Sequence, residues 1–130
     1  MMYLEAEQNL IELSERLLQN LEYALQRFHD TKEQQVRGDF HEEVKPFADE
    51  VKLTTDSWKK SASEWLGQNR PKNLHINQIE TAANYLEVIS VQAFFPETSK
   101  KRFLDQTQSV EFILKSLIIA INQLGVFPTE

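Results

Sequence analysis

FLDQTQSVEFILKSLIIAINQL, Phe103–Leu124, carries Phe103, Thr107, Val110, Leu114, Leu117, Ile121 and Leu124 at alternating spacings of four and three. That spacing returns side chains to one side of a helix, so the stretch predicts a long amphipathic helix with one face in a core. Phe112 and Ile119 then point outward, among Gln108, Lys115 and Asn122. The helix is expected to start around Thr98 or Ser99 and to end at Gly125, a residue that tolerates the left-handed closing conformation.

Three earlier stripes complete the pattern. Leu4, Ile11, Leu18, Leu21, Leu25 and Phe28, widened by Leu10, Leu17 and Ala24, predict a first helix from about Tyr3 to Gln34. Phe40, Val44, Phe47, Val51, Trp58, Ala62 and Trp65 predict a second, with Asp39 and Glu42 as a capping-box-like start. It should close near Leu66, with Gly67 left-handed and Pro71 preventing continuation, and Pro46 inside it should kink it. Ile79, Ala82, Ala83, Leu86, Ile89 and Ala93 predict a third, begun at Asn77 with Glu80 as its reciprocal cap and stopped by Pro96. Gly38, Gly67 and Gly125 all fall at expected helix ends, and Pro71, Pro96 and Pro128 fall between or after helices. Short connections make neighbours antiparallel. The expected fold is therefore all-α, one up-down-up-down four-helix-bundle domain over residues 1–130.

Composition narrows the function classes. With 41% hydrophobic and 26% charged residues in 130, the chain is globular, and its size suffices for one core. A net charge of -6 repels phosphate backbones and anionic lipid headgroups, so neither nucleic acid nor membrane is expected as a partner. The absence of cysteine removes disulfides, thiolate metal sites and a cysteine nucleophile. MMYLEAEQNL has no basic start followed by an apolar run, and SLIIAI is far shorter than the roughly 20 residues that span a bilayer. A cytoplasmic location is expected.

Helical bundles often hold metals, and a di-iron carboxylate centre needs Glu-x-x-His pairs, because residues i and i+3 share a helix face. None of His29, His41 and His75 has a Glu three residues before it, so no metal and no cofactor are expected. His29 and His41, with Asp39 nearby, are read as a solvated pair. Glycine-rich phosphate loops and Gly-x-Ser-x-Gly are absent. Trp58 and Trp65 share the face of Val44 and Val51, which makes them core rather than a stacking platform for bases. A gap at the Pro46 kink would be the place for a small molecule.

Arg70 and His75, in RPKNLHINQIE, are the weak catalytic candidates. Their Arg-x4-His spacing resembles the active motif of HEPN-type ribonucleases, also helical bundles, in which imidazole and guanidinium serve acid/base and phosphate-stabilising roles. That motif usually has a polar residue after the Arg, whereas Pro71 follows here and the pair spans a loop. The competing reading makes Arg70 a cation on the last carbonyls of helix 2 and gives His75 and Leu74 the start of helix 3. Lys100, Lys101 and Arg102 are the weak anion-binding candidates, because cations at a helix N-terminus oppose its dipole; Glu97 and Asp105 flank them. Phe112 and Ile119 are the candidates for partner binding, two large apolar residues one heptad apart on an outer stripe. Their cover is expected from another chain or from the protein's own Val126 and Phe127.

RPKNLHINQIE, GDFHEEVKPF and KKRFLDQTQSVEFILKSL resemble the matching segments of the YppE-like family, small proteins of Bacillus-type bacteria classed as a domain of unknown function. The resemblance covers nearly the whole chain and implies an up-and-down four-helix bundle in a bacterial cytoplasm. It supplies no catalytic or binding residues. The leading expectation is a non-catalytic protein-interaction or self-association module, with an unknown protein partner or a homo-oligomer. The alternative is a metal-independent ribonuclease using Arg70 and His75.

Overall fold

Apolar stripes at helical spacing leave water by facing one another. In the computed structural model, which describes residues 5–124, they do so as α1 (Glu5–Gln34), α2 (Lys45–Asn69), α3 (Ile76–Gln92) and α4 (Lys100–Leu124). A π-helical turn, Phe40–Val44, leads into α2, and no strand occurs among the described residues. α1 and α3 each pack against both α2 and α4, with a slighter diagonal contact between α1 and α3. The family expectation of an all-helical bundle holds.

Contacts run in opposite senses along α1 and α2: Trp65 meets Glu7, Trp58 meets Ser14, Phe47 meets Tyr23 and Glu43 meets Arg27. The two tryptophans are core, as their spacing predicts, and Trp58 is fully enclosed. Each indole N–H still needs an acceptor. Trp58 Nε1 donates to Ser14 Oγ at 2.9 Å, and Trp65 Nε1 donates to the buried Glu7 Oε2 at 3.0 Å. In α4 every expected core position from Phe103 to Ile121 is buried, Ile113 joins them, and Leu124 is exposed. In α1 the buried line runs through Leu10, Leu17, Leu21, Ala24 and Phe28, leaving Leu18 and Leu25 half-buried.

The start of α2 departs from the sequence reading. The irregularity expected at Pro46 takes the form of a π-helical turn that runs directly into α2 and places Pro46 in its first turn. The preceding π turn makes this possible, with the Lys45 N–H reaching five residues back to Phe40 O. Five-residue hydrogen bonding also rotates Phe40 off the stripe, so this residue, expected in the core, is 58% exposed. Asp39 caps as expected, its carboxylate accepting from the Glu42 N–H at 2.8 Å. The reciprocal bond comes from Glu43, whose Oε1 accepts the Asp39 N–H at 3.0 Å. Farther along, the small space that Phe47 and Val51 share with Asn20, Leu86 and Ser90 has no room for a water.

Gly38 is required by close approach. Its N–H donates to Phe94 O at 2.9 Å, and a Cβ there would stand 2.7 Å from Phe94 Cδ1 and 2.9 Å from Phe94 Cβ. Phe94 is fully buried, under the Arg27 guanidinium and edge-on to Phe47. Gly67 is not the left-handed closing residue expected of it: it lies inside α2, with ordinary φ and open space where a Cβ would be.

The two glycines therefore respond oppositely to alanine. Gly38→Ala should destabilise by about 1–3 kcal/mol through overpacking, and Gly67→Ala should stabilise by about 0.5–1 kcal/mol, both read by urea unfolding. Glu43 gives a pH test. The Arg27 guanidinium, followed by the Asp39 N–H, holds its carboxyl below the ordinary 4.5. A carboxyl depressed on folding contributes stability that is present above 4.5 and is lost as pH falls through the folded value. Glu43→Gln should thus cost about 1 kcal/mol or less at neutral pH, since the pair is solvent-screened. The gap from wild type should close in unfolding curves taken below pH 4.5.

Candidate functional site

Helix α2 cannot continue into Pro71, because the residue before a proline is disfavoured in right-handed helix. Arg70 instead turns left-handed, φ 46° and ψ 57°, and its N–H donates to Leu66 O at 3.0 Å. Asn73 is left-handed as well, and the buried side chains of Pro71 and Leu74 hold the loop down. His75 is extended and caps α3, its N–H donating to Gln78 Oε1 at 2.7 Å. The N-cap of the third helix is thus His75, two residues before Asn77, and Gln78 takes the part expected of Glu80. Arg70, Lys72 and His75 are exposed, and no hydrogen bond or ion pair joins Arg70 to His75. Arg70 closes α2 through its backbone N–H, with no hydrogen bond from its guanidinium to the last carbonyls, and His75 opens α3.

The loop lies against the C-terminal half of α4. Between them is a groove of about 570 Å³, within the range of about 300–1,000 Å³ typical of ligand pockets. Arg70, Pro71 and Lys72 line one side, and Phe112, Ile119 and Leu124 line the other. Phe112 is 65% exposed and Ile119 54% exposed, the outward pair that the α4 spacing predicts. Phe112 also borders a smaller groove of about 260 Å³ with Asn77, Gln78 and Thr81 of α3. Arg70, Phe112 and Ile119 therefore converge on one surface, and His75 does not line it. Val126 and Phe127, the expected covering residues, lie outside the described residues.

Lys100, Lys101 and Arg102 belong to the other end of α4, about 30 Å away at 1.5 Å per residue. Lys101 Nζ donates to Asp105 Oδ2 at 2.9 Å, and that carboxylate holds the ammonium above its usual range. Ser99 Oγ accepts the Arg102 N–H at 3.2 Å. Glu97 pairs with Arg37 rather than with these cations. His29 lies near Glu33, and His41 sits edge-on to Phe40. Among the described residues no three His, Asp or Glu side chains are placed to hold a metal, and no helix is long and apolar enough to cross a membrane.

The groove offers apolar side chains that a partner can bury and two cations on one rim. Sequence spacing identifies Phe112 and Ile119, but Lys72 becomes a site residue only because the loop folds toward α4. The loop assignment can be tested by stability. Gln78→Ala should cost about 0.5–1.5 kcal/mol by orphaning the His75 N–H, whereas Arg70→Gly should raise stability by up to about 1 kcal/mol by relieving the left-handed strain. Thermal unfolding of the two variants reads both signs.

Comparison with known proteins gives a family but no activity. A family model described as a bacterial domain of unknown function, DUF1798, matches residues 14–121. The uncharacterised protein YppE of Bacillus subtilis is 32% identical over 111 residues, 85% of this chain and 89% of that protein. A crystal structure of a Listeria innocua protein of unknown function superposes with a TM-score of 0.86, at 27% identity over 91% of this chain and 94% of that one. The YppE crystal structure gives 0.85, at 29% identity over 89% and 94%. A DUF1798 protein of Staphylococcus aureus, 22% identical over 93% of this chain and 99% of that one, shares the fold with a TM-score of 0.81.

Proposed function

The chain belongs to the bacterial DUF1798 family of unknown function, and from that premise we propose that it is a non-catalytic interaction module whose working surface is the outer stripe of α4. The observation that carries this reading is the exposure of Phe112 and Ile119 beside the Arg70–Lys72 loop. Large apolar side chains grouped in water are costly unless a partner covers them, and aromatic residues rimmed by Arg are the composition of interface centres. The partner is another protein chain or a second copy of this one. The ribonuclease alternative gains no support from the loop, where Arg70 and His75 serve as helix caps without a bond between them.

Replacing Phe112 and Ile119 together with Ser should leave helicity intact and lower stability by only about 1–2 kcal/mol, because each side chain is only partly covered. The double variant should lose self-association in sedimentation, or lose a specific cross-linked protein recovered with wild type from the native cell. An unfolded double variant would make these residues core. Unchanged association and capture would remove the α4 stripe as the working surface. RNA cleavage in EDTA that His75→Ala abolishes without loss of helicity would replace the proposal with the ribonuclease.

A further inference from the structure

The charge of the groove suggests what enters it. The sequence has 20 acidic residues against 14 basic ones, so a surface lining drawn from it at random favours carboxylates. Among the described residues that line the groove the charged ones are Arg70 and Lys72, both cations. Neither makes an ion pair with a described residue, as is also true of Arg16, Lys59, Lys60, Lys100 and Arg102, so what sets these two apart is that they are the charges on the groove. The facing side of the groove holds Phe112, Ile119 and Leu124, each exposed among the described residues. An acidic protein thus has an apolar groove with two unengaged cations along one edge.

We propose that this groove docks an acidic, amphipathic peptide segment of a partner protein, its apolar side chains against Phe112 and Ile119 and its carboxylates against Arg70 and Lys72. The inference rests on the interaction reading above and specifies the partner's chemistry. An amphipathic helix laid in a groove presents apolar anchors at i, i+3 or i+4, and i+7, which suits two receptor residues one heptad apart. Arg70 can grip a carboxylate with two parallel N–H donors, while Lys72 contributes a point charge. A second copy of this chain fits less well, because a two-fold contact presents the same patch from both sides and this patch brings cations without carboxylates.

The experiment is a selection of random dodecapeptides displayed against the full chain, followed by fluorescence anisotropy of the selected peptides with wild type and two variants. The selected peptides should combine apolar residues with Asp or Glu. Replacing their acidic residues with Lys should weaken binding at least tenfold, and affinity should fall as salt is raised. Arg70→Gln with Lys72→Gln should weaken the acidic peptides about tenfold and flatten the salt dependence, while Phe112→Ser with Ile119→Ser should abolish binding with helicity kept. Neutral or basic peptides that bind wild type and lose binding in the Phe112/Ile119 variant would overturn the acidic partner and leave the interaction surface standing. Acidic peptides that bind that variant undiminished would overturn both. Failure to select any peptide would overturn the proposal, as would a dimer that only the Phe112/Ile119 variant dissociates. Binding seen only in a Phe127→Ser chain would assign the groove to the chain's own last residues and overturn it too.

Discussion

Two indole N–H groups enclosed by the core fix how α2 lies along α1. Trp58 and Trp65 sit two helical turns apart, and their acceptors, Ser14 and Glu7, sit the same distance apart on α1 in the opposite direction. Ser14 is itself tied, its hydroxyl lying 2.9 Å from Leu10 O. Sliding either helix by one turn would leave both indoles without acceptors, at about 1–3 kcal/mol each, in addition to the lost packing. Leu and Val contacts alone would tolerate such a slip far better, since apolar packing is not directional. The register of α2 sets where it ends, and with it where Arg70, Pro71 and Lys72 stand over α4.

The two ends of the bundle are finished differently. At the end where α1 meets the π turn, polar groups are closely matched. Lys32 Nζ donates to Pro96 O at 2.8 Å, and Thr31 Oγ1, which accepts from Arg27, lies 2.9 Å from Ala93 O. Arg27 also reaches Glu43, and Gly38 closes onto Phe94. At the other end the 70–74 loop is held by buried Pro71 and Leu74, but the groove beside it leaves apolar side chains and two cations facing water. This contrast motivates the proposed binding role. One end is tied by polar bonds between helices, although Val36 and Phe40 are exposed there, and the other sets exposed apolar side chains beside two cations in one groove.

Much of the fold was legible because period and position agree in long stretches. The α4 spacing from Phe103 to Ile121 separates the buried row from Phe112 and Ile119, and the shared face of Val51, Trp58 and Trp65 marks both tryptophans as core. The reading failed where a single backbone event outweighs periodicity. A five-residue hydrogen bond from Lys45 to Phe40 turns Phe40 into water and shelters Pro46, and nothing in a stripe of apolar letters announces it. Gly67 looked like a helix stop because glycine commonly is one, yet Pro71 governs the ending from four residues away, and Arg70 takes the left-handed conformation. Phe94 was not assigned to the core because its neighbours, Gly38, Arg27 and Phe47, come from other segments. The candidate site was half legible on the same grounds. Helical spacing gives the α4 stripe, while its meeting with Arg70 and Lys72 depends on tertiary placement.

The most direct test of the α4 groove is nuclear magnetic resonance of the isotopically labelled full chain, titrated with a selected acidic peptide. Binding as proposed shifts the amides of Arg70, Lys72, Asn73, Leu74 and residues 112–124 and leaves those of Lys100, Lys101 and Arg102 in place. Shifts concentrated at Lys100–Arg102, or scattered over the bundle without a focus on the C-terminal half of α4, would contradict the account.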